Sequence, residues 1–219
     1  MALAAVIFDL DGVLVDSEQV WGTVREELTR ELGGRWHPGA LRAMMGMSSL
    51  EWSRYMHDEL GVRLPPAEIS REVVRRVGEH YSRHLPLIDG AVDAVQRVAA
   101  RWPLALASSA NREIIDTVLE LTGLKGSFAA TVSSEEVPRG KPAPDVYLEA
   151  ARRLGVDPAA AAAVEDSTNG LLSAKAAGMT VVAIPNREFP PAPEGLAAAD
   201  VVIDSLHDLT PEAVELVAA

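Results

Sequence analysis

From residue 91 onward, short apolar runs alternate with helical stretches of about ten residues. The helical stretches are 91–101, 112–122, 144–154 and 168–177. The apolar runs that follow them are Leu104–Ala107, Ala129–Val132, Ala161–Val164 and Thr180–Ile184, with a further short run at Val201–Ile203. This alternation predicts βαβ units and therefore a parallel sheet. Because the runs are apolar on both faces, helices should cover both sides of the sheet. We predict a doubly wound, Rossmann-like α/β core.

The first predicted strand is separated from the others by a long helical block. Residues 4–10 have the pattern of a buried strand, whereas residues 17–85 show only amphipathic helical stretches. These stretches lie at about 18–33, 38–46, 50–60 and 66–84. Only the later strands can pair with the first one, so the block is predicted to be an insertion. We expect an α/β core formed by 1–16 and 86–219, and a four-helix domain formed by 17–85.

Charge and length limit what the chain can bind. Its 219 residues correspond to roughly one and a half domains of ordinary size. Asp and Glu total 32 against 20 Lys and Arg, which gives a formal net charge of −12. A surface this acidic speaks against nucleic acid and anionic membranes as partners. It does not exclude a small anionic substrate that a few local cations hold.

Three further absences in the sequence limit the possible chemistry and the expected location. The chain has no Cys, which excludes disulfides, thiolate metal sites and a Cys nucleophile. No apolar run reaches the ~18 residues of a membrane span, and the first residues lack the basic region of a signal peptide. We therefore expect a monomer in the cytoplasm.

Polar side chains follow the predicted strands where each strand ends. The residues concerned are Asp9 and Asp11, Ser108 and Ser109 with Asn111 beyond them, Lys141, and Glu165 with Asp166. Each group alone is compatible with a capping or surface role. In an open α/β sheet, however, the carboxyl ends of the strands form the ligand-binding edge. Together these residues place carboxylates, hydroxyls and one Lys at that edge.

This set of groups suits phosphoryl transfer through an aspartyl phosphate. A phosphate monoester repels a carboxylate unless its charge is neutralised, and Mg²⁺ with oxygen ligands does this. Asp9 and Asp166 can supply two such ligands, and Lys141 supplies positive charge beside the phosphoryl oxygens. Ser108 can donate hydrogen bonds to the same oxygens. Asp11 is placed to protonate the leaving alkoxide and later to deprotonate the attacking water.

The motifs resemble those of the haloacid dehalogenase-like hydrolases over essentially the whole chain. They read Asp9-Leu10-Asp11-Gly12-Val13, Leu104–Ser108, Gly140-Lys141-Pro142 and Glu165-Asp166-Ser167. The resemblance implies that Asp9 is the nucleophile and Asp11 the general acid and base. It also implies that Mg²⁺ is held by Asp9, the Asp11 carbonyl and Asp166, while Glu165 orients a water on the metal. The helical insertion is similar to this family's small cap domain.

Within the family the sequence favours a phosphatase. Asp11 disfavours a dehalogenase, because dehalogenases lack the second Asp of the motif. A phosphonatase needs a cap Lys that forms a Schiff base. The only lysines of this chain lie outside the predicted cap, at Lys125, Lys141 and Lys175. The segment Asp16-Ser17-Glu18-x-x-Trp21 is similar to hexitol and 2-deoxyglucose 6-phosphate phosphatases. The expected partner is therefore a small phosphorylated metabolite. The residues expected to bind it are Ser108, Ser109, Asn111, Lys141, Glu18, Trp21 and Ser48.

Two alternatives stay open from the sequence. A β-phosphoglucomutase is the first, although Trp21 stands where that enzyme has a steering His and Ser49 where it has a phosphate-binding Arg. Arg42, Arg54, Arg75, Arg76 and Arg83 could replace that Arg from other positions. The second is a non-enzymatic receiver domain that is phosphorylated on Asp; its shorter chain and its different order of acidic residues argue against it. Trp21 itself is either a stacking surface for the substrate or a packing residue of the cap.

Overall fold

The computed structural model describes residues 2–45 and 47–218, with side chains described up to Glu215. Its described part contains one sheet of six parallel strands in the order β3-β2-β1-β4-β5-β6. The strands are β1 (Ala5–Phe8), β2 (Leu104–Ser108), β3 (Phe128–Ser133), β4 (Ala161–Glu165), β5 (Thr180–Ala183) and β6 (Val201–Val202). The predicted fold class is confirmed.

The sheet is buried on both faces because its strands carry apolar side chains on both. Val6 and Phe8 point to one side and Ile7 to the other. The first side is covered by α5 (Ala91–Ala99), α6 (Arg112–Thr122) and α10 (Pro211–Ala218), and the second by α7 (Asp145–Leu154) and α8 (Thr168–Ala176). The strand order reverses beside β1, which pairs with both β2 and β4. A ligand site is expected at such a switch point.

The four predicted helices of the insertion are present between β1 and β2. They are α1 (Glu18–Glu31), α2 (Ala40–Met44), α3 (Ser49–Asp58) and α4 (Pro66–Arg83). Helix α2 is shorter than expected because Met45 is extended, with φ −61° and ψ 131°; Gly46 lies outside the described residues. Ser48 caps α3, since its backbone N–H and its hydroxyl both donate to Glu51 at 2.8 and 2.7 Å. The helices bury one apolar face each, including Trp21, Trp52, Val73 and Tyr81.

Two adjacent connections join the helical segment to the sheet. The Asp16 N–H donates to the Pro86 carbonyl at 2.8 Å, and the Ile88 N–H donates to the Leu14 carbonyl at 3.0 Å. These paired segments coincide with the predicted boundaries at 16 and 86. The division into two domains stays a prediction, and paired connections of this kind are where a hinge between them would lie.

Three helical features were not predicted. The short helix α9 (Pro193–Ala198) follows β5, and α10 comes after β6. Short 3₁₀ turns at Lys125–Ser127, Ser134–Glu136 and Pro158–Ala160 precede or follow strands. No helix in residues 2–45 and 47–218 has both the length and the apolar character that crossing a bilayer requires.

Candidate active site

The carboxyl ends of β1, β3 and β4 bring Asp9, Lys141 and Glu165 into direct contact. Lys141 donates from Nζ to Asp9 Oδ1 at 2.8 Å, to Glu165 Oε1 at 2.6 Å and to the Ala107 carbonyl at 3.1 Å. All three side chains are buried. Register explains the placement: Phe8 pairs with Leu106 and with Val164, so the chain leaves β1 between the ends of β2 and β4.

Glu165 is held by hydrogen bonds to both of its carboxylate oxygens. Besides Lys141, Oε1 accepts from the Tyr147 hydroxyl at 3.0 Å. Oε2 accepts from the backbone N–H groups of Asp166 at 3.0 Å and Ser167 at 3.1 Å, and from the Ser167 hydroxyl at 3.1 Å. A carboxylate fixed in this way fixes Lys141 in turn. Its predicted role in orienting a water stays a prediction.

Burial dominates the electrostatics of this cluster. It raises the pKa of Asp9 to about 8; Lys141 opposes the rise, and the nearby charges of Glu165 and Asp11 add to it. Burial also raises the pKa of Asp166 well above its usual value, with the charges of Glu165 and Asp9 adding to the effect. Burial alone would lower the pKa of Lys141, but the charges of Asp9 and Glu165 raise it above its ordinary value. Lys141 is therefore a fixed cation, but its single positive charge does not balance the several carboxylates around it.

These carboxylates fit a small hard cation. Oxygen atoms of Asp9, Glu165 and Asp166 lie within 4.8 Å of one another. Asp166 Oδ1 is buried and has no hydrogen-bond partner among the residues that the structure describes. The backbone at Gly12 has a φ of +79° and lies against the Asp166 carboxylate. A Cβ on residue 12 would be only 1.9 Å from Asp166 Oδ2, so this position has no room for a side chain. A divalent ion would supply the missing positive charge and a partner for the unpaired oxygen.

Asp11 and Ser108 lie next to each other behind the cluster. Ser108 donates from Oγ to Asp11 Oδ2 at 3.4 Å, a long hydrogen bond, and accepts from the Ala110 N–H at 2.9 Å. Burial raises the pKa of Asp11, and the positive charges of Lys141 and Arg25 oppose the rise. A raised pKa suits a carboxyl group that must hold a proton and then release it.

A pocket of about 490 Å³ opens over these residues, between the sheet edge and the helical segment. The predicted site residues that line it are Asp9, Asp11, Glu18, Trp21, Ser109, Asn111, Lys141 and Asp166. Asn111 also donates from Nδ2 to Glu135 Oε1 at 2.6 Å. Ser108 and Glu165 lie behind the wall, and Ser48 caps α3 outside it. The binding role of Ser48 stays a prediction.

Several wall residues were not predicted from the sequence. They include Arg25, Met44, Met45, Met47, Trp52 and the segment Phe189–Ala192. Arg42, one of the arginines named as a possible replacement for the phosphate-binding Arg of a mutase, also lines the pocket. The segment Phe189–Ala192 follows β5 at the same sheet edge, where residues after a strand are expected to contribute to a site. Arg25 had a different signal: it lies four residues after Trp21, on the buried face of α1 with Val24 and Leu28. A charged residue on the apolar face of a helix is unusual unless it has a function or a partner.

The family model for haloacid dehalogenase-like hydrolases matches residues 6–184. The chain belongs to this family. It is 31% identical over 225 residues to hexitol phosphatase B of Escherichia coli (strain K12), with 95% of each chain covered. It also resembles the solved structure of CbbY from Rhodobacter sphaeroides in complex with phosphate, at 27% identity and a TM-score of 0.84, covering 94% of this chain and 96% of that one. The fold alone is shared with β-phosphoglucomutase from Clostridium difficile, at 21% identity and a TM-score of 0.85, covering 99% of this chain and 97% of that one.

These similarities confirm three of the sequence predictions. The family and its branch of β-phosphoglucomutases and sugar-phosphate phosphatases are those predicted, and so is the enzyme class, a phosphoric monoester hydrolase. A receiver domain is set aside, because the match to the hydrolase family extends over most of the chain.

Proposed function

We propose that this protein is a Mg²⁺-dependent phosphatase that hydrolyses a small sugar or polyol phosphate through an aspartyl-phosphate intermediate. The observation that carries the proposal is the Asp9 carboxylate in the wall of the pocket, 2.8 Å from the Lys141 ammonium and beside Asp166. A nucleophile, a fixed cation and a further metal ligand thus lie together at the pocket that a substrate would enter.

The metal would be held by Asp9, Asp166 and the backbone carbonyl of Asp11. When bound, Mg²⁺ neutralises the phosphoryl oxygens, so that an anionic carboxylate can approach phosphorus. Lys141 adds positive charge to the same oxygens and is kept in position by Glu165. Ser109 and Asn111, which line the pocket, are proposed to bind and orient the phosphoryl group. Ser108 lies behind the pocket wall, and its contact with the phosphoryl group stays a prediction.

The reaction then needs two proton movements at Asp11. Asp9 attacks phosphorus, the ester P–O bond breaks, and Asp11 gives its proton to the leaving alkoxide. In the second step Asp11 takes a proton from a water, which attacks the phosphorus bound to Asp9. Inorganic phosphate leaves and the Asp9 carboxylate is restored. The raised pKa of Asp11 supports this role, because the carboxyl group must be protonated when the ester arrives.

We further propose that the helical segment 17–85 acts as a cap that selects the substrate. Helix α1 contributes Glu18, Trp21 and Arg25 to the pocket wall, opposite the catalytic carboxylates. Trp21 packs edge-on against Trp52, with ring centroids 6.0 Å apart, and also lines the pocket. Both proposed roles of Trp21, packing and substrate contact, are compatible with this position. The similarity to hexitol phosphatase B supports a polyol or sugar phosphate as the substrate.

A phosphomutase is the second candidate, and one observation favours it. A mutase must hold the second phosphate of a bisphosphate on the cap side. Arg25 and Arg42 bring positive charge to that side of the pocket, although neither lies at the position of the phosphate-binding Arg expected for a mutase.

The proposed function is tested by phosphate release from a panel of sugar, polyol and nucleotide phosphates. We expect turnover of at least one sugar or polyol phosphate with Mg²⁺, complete loss in EDTA and recovery when Mg²⁺ is restored. Asp166→Ala should raise the Mg²⁺ concentration needed for half-maximal activity by about tenfold or more. Asp58→Ala, at an exposed position in α3, is the matched control and should behave as wild type. Activity that survives exhaustive chelation would contradict the metal site.

A further inference from the structure

A buried arginine faces the pocket at a position that the proposed hydrolysis does not use. Arg25 in α1 is only 6% exposed, yet it lines the pocket. Its guanidinium carbon lies 4.8 Å from the ring centroid of Trp21 and 4.8 Å from that of Trp52. Contacts with two indole faces stabilise a guanidinium and restrict its orientation. The cation is therefore preorganised before any ligand arrives.

Arg25 has hydrogen-bonding capacity that the described residues leave unused. Its Nε is buried and meets no hydrogen-bond acceptor among them. In the part of the chain that the structure describes, no carboxylate forms an ion pair with the guanidinium. Burial lowers its pKa to about 10, while the charges of Glu18 and Asp11 oppose the fall, so the group still carries its proton at neutral pH. A buried cation without a direct partner is unfavourable for folding, which indicates that something else supplies the anion.

We propose that Arg25 binds a second oxyanion of the substrate. On this proposal the preferred phosphate esters carry a carboxylate or a further phosphate in addition to the phosphate that is cleaved. The guanidinium suits either group, since its planar set of donors matches two oxygens of a carboxylate or a phosphate. The inference rests on the proposed function, because it takes the Asp9 and Lys141 end of the pocket as the place of the scissile phosphate.

A purely structural role for Arg25 predicts different behaviour. If Arg25 only balanced the charges of Glu18 and Asp11, its removal would impair every substrate to the same extent. If it binds a second oxyanion, its removal impairs only the esters that carry one. The ratio between two matched esters separates these cases, and a general loss of folded protein does not change that ratio.

The experiment measures binding in an Asp9→Asn background with Mg²⁺ present, so that the esters are not consumed. Calorimetry compares two matched pairs: sorbitol 6-phosphate with 6-phosphogluconate, and fructose 1-phosphate with fructose 1,6-bisphosphate. The first pair tests a carboxylate and the second a phosphate. Each is repeated with Arg25→Met, which keeps an unbranched side chain between the indoles, and with Arg30→Met. Arg30 is an exposed residue of the same helix and serves as the control.

We expect the anionic member of at least one pair to bind more tightly by roughly 10- to 100-fold. Arg25→Met should abolish that preference, and Arg30→Met should leave it intact. Equal affinity within both pairs, a preference that survives Arg25→Met, an equal loss for both members, or no binding by any ester would each overturn the assignment. Failure of the proposed function has a separate signature: wild-type protein with Mg²⁺ would release no phosphate from any ester, whatever the affinity ratios.

Discussion

At the scale of single residues, the candidate site depends on carboxylates that burial has made difficult to ionise. Asp9 must nevertheless attack as an anion. The Lys141 ammonium at 2.8 Å, together with a bound cation, supplies the positive charge that makes this possible. The proposal therefore assigns separate tasks to neighbouring acidic residues: attack to Asp9, proton transfer to Asp11 and metal binding to Asp166.

Asp9→Asn gives a direct test of the nucleophile. The amide keeps the shape of the side chain but cannot attack phosphorus, so we expect turnover to fall below detection. Rapid-quench measurements with a phosphorus-labelled ester should find no phosphoenzyme in the variant. Calorimetric binding of Mg²⁺ and ester establishes that the variant is folded. Turnover near the wild-type rate would show that another residue attacks.

Glu18 supplies a prediction about pH and stability. Burial raises the pKa of Glu18 to about 7; Arg25 opposes the rise and Asp11 adds to it. The unfolded chain ionises this carboxyl at a lower pH, near its usual value, so the contribution of Glu18 to folding falls as pH rises from about 4.5 to 7. Glu18→Gln has no group to titrate and should gain stability relative to wild type over that range, on the order of 2–3 kcal/mol.

The measurement is urea unfolding of metal-free wild type and Glu18→Gln at pH 5 and at pH 7.5. The difference between the two proteins reports on Glu18 together with the groups that its charge influences, Arg25 and Asp166 among them. Groups far from Glu18 titrate alike in both proteins. A stability difference that stays constant between the two pH values would contradict the raised pKa. Glu27→Gln on the same helix is the control. Gln19→Glu is unsuitable, because the Gln19 amide donates a hydrogen bond to Glu188 at 2.7 Å.

At the scale of elements, the start of α8 is packed against the residue that fixes Lys141. A Cβ on Gly170 would lie 1.7 Å from Glu165 Oε1 and 1.9 Å from its Cδ. Glu165 cannot yield easily, because five hydrogen bonds hold its carboxylate. The absence of a side chain at Gly170 therefore lets the helix approach the end of β4.

Gly170→Ala should displace Glu165 and with it the Lys141 ammonium. We expect kcat to fall by about 100-fold with a smaller change in KM, because a misplacement of about 1 Å near reacting groups has an effect of this size. Gly78→Ala in α4 is the matched control: a Cβ there has no neighbour within 4 Å, so activity should be unchanged. A wild-type kcat in Gly170→Ala would mean that Glu165 does not position Lys141.

The elements also show which parts of the structure were accessible from the sequence. The parallel sheet was predictable because short apolar runs, those of β1, β2 and β4 among them, are separated by helical stretches, a pattern typical of a parallel sheet with helices on both faces. The catalytic carboxylates were predictable because they follow these strands directly. Arg25 was not, because helical periodicity says which face is buried and not what that face meets. Its contact with Trp52 depends on how α1 packs against α3.

At the scale of the whole molecule, phosphatase and mutase differ in what happens to the phosphoenzyme. A phosphatase lets water reach the phosphorus on Asp9, whereas a mutase excludes water long enough for a sugar to return in the opposite orientation. The pocket wall contains parts of both the sheet edge and the helical segment. On the proposed cap role, the position of the segment would control access to Asp9. The paired connections at Leu14 with Ile88 and Asp16 with Pro86 are the place where a change in that position would begin.

Incubation with β-glucose 1-phosphate and a trace of the 1,6-bisphosphate separates the two activities. We expect free phosphate and little glucose 6-phosphate, because Trp21 and Ser49 occupy the positions of the steering His and the phosphate-binding Arg expected for a mutase. Without the steering His, the sugar is not positioned for its return in the opposite orientation, and water takes the phosphoryl group first. Glucose 6-phosphate that accumulates faster than phosphate is released would show instead that Arg25 and Arg42 hold the second phosphate well enough for transfer. In that case Arg25→Met should convert the mutase into a phosphatase. The bisphosphate intermediate would dissociate before it could bind again in the opposite orientation, and water would then hydrolyse the phosphoenzyme.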